Sequence, residues 1–227
     1  MPSPLAILFD LDATLADRRT AFGRYAVDFF QRQGTRLSPR HQAAGADWMI
    51  AIDDDGRLSR DRFCEQLAAR YPELGLDAAA VWRDHSRRLW TFYEPRPEVT
   101  SLVDRLARDF RLTVVTNGSA QNQRRKLERI GLADNFDHVV VSGEAGFEKP
   151  DRRIFELALK MIQVCPVDAL FVGDDPMRDI LGASQAGLLT CWVRGNQIFP
   201  EGAPRPDLVV DHLTELESRL GCSMPAR

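Results

Sequence analysis

The chain opens on a short continuous apolar run, residues 5–9 (LAILF). Alternation is absent, so the run reads as a strand buried on both faces, as in a parallel sheet. From about residue 16 to 93 the pattern changes. Apolar positions recur closer to every 3.6 residues than every second one, and the segment is rich in Ala, Arg, Leu and aromatics. It predicts several helices, with breaks at Pro39, at Asp53-Asp54-Asp55-Gly56 and at Tyr71-Pro72. Glu94-Pro95-Arg96-Pro97 reads as a stiff hinge, because two prolines fix φ and exclude helix.

Beyond the hinge, helical and strand patterns alternate. The spacing predicts helices over 98–109, 120–130, 151–161 and 179–186, and strands over 112–115, 138–141, 169–172, 189–193 and 208–210. Gly131 and Gly187 stand where helix-ending glycines belong. This alternation predicts an α/β fold, a doubly wound and mostly parallel sheet with right-handed crossovers. The sheet domain would comprise residues 1–15 and 94–227, interrupted by an inserted all-helical cap over 16–93.

Candidate chemistry collects at the strand ends. Asp10 and Asp12 follow the first strand at i and i+2, a costly placement, since like charges this close push one carboxyl toward its neutral form. A divalent cation reverses that logic and holds both ionised. Thr116 follows the second strand in Thr116-Asn117-Gly118-Ser119, and Lys149 lies in a later loop. Asp174 and Asp175 follow the 169–172 strand, with Asp179 beyond. Ligands of open α/β sheets gather outside the carboxyl ends of the strands, so topology alone brings these groups to one crevice. The set suits phosphoryl transfer. A carboxylate can attack phosphorus to give an aspartyl-phosphate, Mg²⁺ and a lysine offset the charge, a hydroxyl with backbone N–H groups holds the phosphate, and a second carboxylate protonates the leaving group.

These residues, in this order and spacing, resemble the four motifs of the haloacid dehalogenase-like hydrolases over residues 5 to about 193. Asp10-x-Asp12-x-Thr14 resembles the first motif, Thr116 the second, Lys149 in Phe147-Glu148-Lys149-Pro150-Asp151 the third, and Gly173-Asp174-Asp175 with Asp179 the fourth. The resemblance implies a Rossmann-like core, Asp10 as nucleophile and Mg²⁺ ligand, and Asp12 as general acid/base whose backbone carbonyl also binds the metal. It implies phosphoryl binding by Thr116, Asn117, Gly118 and Lys149, with Lys149 also steadying Asp10, Asp174 as the third metal ligand, and Asp175 and Asp179 as supporting acids, Asp179 near Lys149 or metal-bound water. Asp12 argues against a true dehalogenase, and the insert between the first two motifs matches the helical-cap phosphatases of the nucleotidase, N-acylneuraminate-9-phosphatase and phosphoglycolate phosphatase kind. The departure is Ala13, where the family commonly has Gly. The implied activity is Mg²⁺-dependent hydrolysis of a small phosphorylated metabolite. A phosphomutase on the same site and a phosphate-ligand binding module without turnover are the alternatives.

Composition narrows the setting. A net charge of −3 over 227 residues and a pI near 5.8 favour neither a nucleic acid polymer nor an anionic membrane as partner. Cys64, Cys165, Cys191 and Cys222 are far apart with no C-x-x-C pair, which fits a reducing, cytoplasmic setting rather than a disulfide framework or zinc site. The first apolar run is too short for a signal peptide or a membrane span, and a monomer or homodimer is expected. Taken singly, the motifs have plainer readings as caps and turns: Asp10 and Asp12 as a helix cap and turn acid, Asp174 and Asp175 as a cap before Pro176. Asp53–Gly56 does not fit a calcium loop, whose first and twelfth positions would be Ala51 and Arg62. It reads as a solvated turn, Arg18-Arg19 as a solvated entrance to the cap, and Trp48, Trp82, Trp90, Phe92 and Tyr93 as cap core.

Overall fold

A computed structural model describes residues 4–195 and 197–221, and Cys222 lies outside them. The chain divides into two compact units. One runs to Ala16 and resumes at Pro95; the other is Asp17–Glu94.

The first unit holds a six-stranded sheet, all parallel, in the order β3-β2-β1-β4-β5-β6. The strands are β1 (Ala6–Phe9), β2 (Arg111–Thr116), β3 (His138–Val141), β4 (Ala169–Gly173), β5 (Leu189–Val193) and β6 (Leu208–Val210). β1 lies in the middle, with Phe9 registered against Val114 of β2 and Val172 of β4. Both of its faces are buried, which is why its sequence is apolar without alternation.

Four helices of the second unit come next in the chain: α1 (Arg18–Gln33), α2 (Pro39–Asp53), α3 (Arg60–Arg70) and α4 (Ala78–Arg88). Those of the first unit are α5 (Pro97–Leu106), α6 (Ala120–Arg129), α7 (Ser142–Ala145), α8 (Arg152–Ile162), α9 (Gly182–Gln185) and α10 (Leu216–Arg219). α8 buries Ile154, Phe155, Ala158, Leu159 and Ile162 against Ala6, Leu8, Val115 and Phe171 of the sheet, the stripe expected of an amphipathic helix. On the other face of β1, Phe9 meets Phe136 edge-on, with ring centroids 6.2 Å apart. Pro97 does not exclude helix as the sequence suggested. It occupies the first turn of α5, where its missing N–H costs nothing. The helix expected over 179–186 begins earlier, as a π-helical turn at Pro176–Leu181 that runs into α9.

The helical unit is organised around an aromatic cluster of Phe22, Tyr25, Phe29, Phe63 and His85. Gly45, in mid-helix, lets α2 approach the Phe30 ring, since a Cβ there would lie 2.4 Å from it. The expected break falls at Pro39, which follows the end of α1 at Gln33 and opens α2 behind the Ser38 cap. Two expectations fail here. Arg18 is not a solvated entrance and Asp53 is not part of a solvated turn. Both are buried, paired fork to fork at 2.6 and 2.9 Å, and Arg60 adds a third bond to Asp53 at 2.9 Å. A bidentate pair satisfies a charge that burial would otherwise penalise, and the arginines hold the Asp53 carboxyl below its usual range against the opposing effect of burial. Among the described residues, no helix is long and apolar enough to cross a membrane.

The loop after β1 is a tight knot. Leu15 and Ala16 N–H groups both donate to Leu11 O, and Ala13 N donates to Ala16 O at 2.9 Å. The turn places Ala13 at φ +63°, a left-handed conformation in which a Cβ costs roughly 1–2 kcal/mol. Glycine loses part of that gain to its greater freedom in the unfolded chain. Ala13→Gly is expected to raise the melting temperature by about 2–4 °C, equivalent to about 1 kcal/mol. Differential scanning calorimetry checks this, and a lower melting temperature would contradict it.

Candidate active site

The strand order places a switch point at β1 and β4. From β1 the chain proceeds to β2 and β3 on one side, and β4, β5 and β6 extend the sheet on the other. In open α/β sheets the place outside the carboxyl ends of the strands where the order reverses is where ligands bind. Asp10 enters it directly from β1, its N–H still bonded to Val172 O of β4 at 2.9 Å. Asp174 follows β4, and Thr116 ends β2.

Asp10, Asp174 and Asp179 each present a carboxylate oxygen within 4.8 Å of the other two. The Nζ of Lys149 donates to Asp10 Oδ1 at 2.6 Å and to Asp179 Oδ1 at 2.7 Å. The lysine is 3% exposed and Asp179 1%. Burial alone would lower the Lys149 pKa, but the Asp10 and Asp179 carboxylates outweigh it and hold the ammonium above the usual lysine value. Burial pushes the Asp10 carboxyl up to about 7 despite the opposing pull of Lys149, with Asp179 and Asp12 adding to the rise. Asp174 is raised as well, by burial first and then by the charges of Asp179 and Asp10. Three carboxylates around one ammonium leave an excess of negative charge.

Neighbouring groups fix the lysine and the acids. Asn117 clamps the Lys149 backbone at both ends, its Oδ1 accepting from Lys149 N at 2.8 Å and its Nδ2 donating to Lys149 O at 3.0 Å. The Lys149–Pro150 peptide is cis, and the ammonium lies 5.3 Å from the centre of the Phe171 ring. Asp179 folds back from the π-helical turn beneath Gly173, where its Oδ2 accepts from Asp175 N at 3.0 Å. A Cβ on Gly173 would stand 2.3 Å from that same Oδ2, so glycine is the residue that fits. Asp175 caps the turn, accepting from Met177 N and Arg178 N. Trp192 Nε1 donates to Asp174 O at 2.9 Å, and Gln197 Nε2 donates to Asp174 Oδ2 at 3.3 Å.

The carboxylate of Asp12 belongs to a second group. Its Oδ2 accepts from Lys126 Nζ at 2.5 Å and from Gln123 Nε2 at 3.2 Å. Gln123 also reaches Thr116 Oγ1 at 2.6 Å and Asn117 O at 3.0 Å. Gly118, at φ +136°, donates its N–H to Ser142 Oγ at 2.9 Å and accepts from Gly143 N at 3.0 Å. The sequence reading missed Gln123, Lys126, Trp192 and Gln197, and it assigned the Asn117 side chain no structural role. One signal was available for the first two. α6 (AQNQRRKLER) carries a single large apolar residue, Leu127, so its inward stripe had to be polar and to face polar groups.

The donor set of Asp10, Asp174 and Asp179 is all oxygen and hard. It suits Mg²⁺ rather than a thiolate- or imidazole-seeking metal. A family model of haloacid dehalogenase-like hydrolases matches residues 4–187. The chain is 40% identical to the pyrimidine 5′-nucleotidase YjjG of Escherichia coli, over 94% of this chain and 96% of that protein. It is 38% identical to human N-acylneuraminate-9-phosphatase, over 95% and 93%, and 35% identical to a phosphoserine phosphatase of Thermus thermophilus, over 92% and 96%. Among solved structures, the putative hydrolase YfnB of Bacillus subtilis, crystallised bound to magnesium, superposes with a TM-score of 0.76 at 26% identity. That match covers 96% of this chain and 99% of that one.

The raised Asp10 and Asp174 carboxyls predict that a divalent cation displaces protons. Mg²⁺ titrated calorimetrically at pH 6, in two buffers of different ionisation heat, is expected to release one to two protons per ion. The release should shrink and the affinity rise as pH passes about 7, the value to which Asp10 is raised. Without metal the sign is the usual one for a raised acid. Folded Asp10 holds its proton more tightly than unfolded Asp10, so its contribution to stability is lost as pH rises from about 4 to about 7. Proton-independent binding across this range would refute the assignment.

Proposed function

The chain belongs to the haloacid dehalogenase-like hydrolases, and we propose that it is a Mg²⁺-dependent phosphomonoesterase acting on a small phosphorylated metabolite through an aspartyl-phosphate. The observation that carries this reading is Lys149, bonded at once to Asp10 and Asp179 at the switch point of the sheet. Relatives named as phosphatases and a nucleotidase, matched over nearly their whole length, support it.

In the first half-reaction an Asp10 oxygen forms a bond to phosphorus while the bond from phosphorus to the leaving oxygen breaks. The leaving oxygen keeps the electron pair and takes a proton from Asp12. In the second, Asp12 takes a proton back from a water whose oxygen attacks phosphorus. Inorganic phosphate departs and the Asp10 carboxylate is restored. The Lys149 ammonium and the Thr116 hydroxyl bind the phosphoryl oxygens, and Asn117 keeps Lys149 in place. Asp10 and Asp174, with the Asp12 backbone carbonyl, would hold Mg²⁺, and Asp179 and Asp175 support them. The ion would neutralise charge on the phosphoryl group. The helical unit is assigned the role of a cap that selects the leaving group. A cytoplasmic setting completes the reading, supported by the free thiols of Cys64, Cys165 and Cys191.

Phosphate release from nucleoside 5′-monophosphates, phosphoglycolate, sugar phosphates and p-nitrophenyl phosphate, with Mg²⁺ and with EDTA, tests this. Metal-dependent release is expected, and Asp10→Asn should lower it by at least about 10³-fold with the circular dichroism spectrum unchanged. Near-normal turnover by that variant would remove Asp10 as the nucleophile. Transfer of phosphate to a second hydroxyl without net release would identify a phosphomutase instead, and tight binding without turnover a binding module.

A further inference from the structure

The group around Asp12 has a feature that the phosphatase reading does not use. α6 turns Gln123 and Lys126 inward, one helical turn apart, and buries them to 2% and 7% exposure. Burying an amide and an ammonium is costly unless both are bonded, and immobilising a lysine adds a further entropic cost. Here both side chains donate hydrogen bonds to residues assigned to catalysis. Lys126 Nζ and Gln123 Nε2 converge on one oxygen, Asp12 Oδ2, while the same Gln123 amide binds Thr116 Oγ1 at 2.6 Å.

Two consequences follow from hydrogen-bond chemistry. An oxygen that accepts from two N–H donors is not the one that carries an acidic proton, so Oδ2 of Asp12 anchors the group and Oδ1 delivers. A hydroxyl that accepts from an amide N–H turns its own proton elsewhere, so Thr116 is held as a donor toward an incoming phosphoryl oxygen. One helix face thus sets the orientation of both the acid and the phosphate-binding hydroxyl.

We propose that Lys126 and Gln123 are positioning residues of the hydrolysis, which hold Asp12 and Thr116 in the geometry needed to protonate the leaving oxygen. The proposal rests on the acid/base reading of Asp12. Its signature is dependence on the leaving group. Phenyl phosphate expels a weakly acidic phenol and needs the proton; p-nitrophenyl phosphate expels a far more acidic phenol and does not. The constant kcat/KM reports steps up to leaving-group departure, so the comparison isolates that proton transfer.

With Mg²⁺ present, Lys126→Met and Gln123→Met are expected to lower kcat/KM for phenyl phosphate by about tenfold or more, and for p-nitrophenyl phosphate by less than about threefold. Lys126→Arg, which keeps a cationic donor, should restore most of the loss. Gln123→Met carries the same test if Lys126→Met fails to fold by circular dichroism. Equal losses on the two esters, or none, would overturn the proposal. Asp12→Asn, measured alongside, separates the two levels of inference. If it lacks the leaving-group signature, the acid/base reading fails and the proposal falls with it. If it shows the signature while the α6 variants do not, the proposal alone fails.

Discussion

The ammonium of Lys149, set between Asp10 and Asp179, is the interaction on which the rest of the site depends. Without it three carboxylates would crowd a buried crevice with no cation among them, and like charges at such range force protonation or rearrangement. With it, one acid is held at the end of β1 and another in the turn after β4, although 169 residues separate them in number. The balance is deliberately incomplete in physical terms: one positive charge faces three acids, and burial drives Asp10 toward neutrality until another cation contributes. A site built this way favours the simultaneous arrival of a divalent ion and a phosphoryl group, because each offsets the charge of the other.

Holding a lysine in that place constrains the surrounding backbone. Asn117 grips both polar atoms of the Lys149 peptide unit, so the loop after β2 and the loop before α8 are fixed to each other. Gly173 is required because the carboxylate of Asp179 occupies the space that a side chain would fill. The π-helical turn, one residue wider than an α-helical turn, returns Asp179 to the strand end while Asp175 caps the N–H groups behind it. These constraints involve strand ends and the first turns after them. They anchor the candidate chemistry there.

What could be read in the sequence follows the same division. All six strands and the longer helices of the sheet unit were legible because their patterns are local: β1 as an unbroken apolar run, α8 as a stripe of Ile154, Phe155, Ala158, Leu159 and Ile162, whereas the four-residue α7 and α10 are too short to carry a period. Asp10, Asp174 and Asp179 were legible because polar residues at strand ends converge by topology. The place of Lys149 beside Asp10 and Asp179 was implied by the family resemblance alone, since nothing in the local pattern decides where a lysine points. Arg18 and Asp53 misled for a related reason. Charged residues in a paired run or beside a turn glycine usually mark solvent, and nothing local announces a partner 35 positions away. Pro97 misled because proline, excluded from a helix interior, is well placed in a first turn.

Every contact among the candidate catalytic groups, including those from Gln123 and Lys126, is made within the unit that carries the sheet. The same groups recognise only what all phosphomonoesters share: a phosphoryl group, its charge and a leaving oxygen that needs a proton. A unit complete for that recognition has no means of telling one ester from another beyond the acidity of the alcohol expelled. Discrimination among metabolites therefore has to come from side chains outside this constellation, where no charge balance of the Lys149 kind dictates residue type. That is the physical reason the proposed chemistry maps onto residues of fixed type at the strand ends, whereas choice among esters falls to positions of free type. Chemistry at phosphorus leaves a fixed imprint on sequence, and selection of the leaving group leaves a free one.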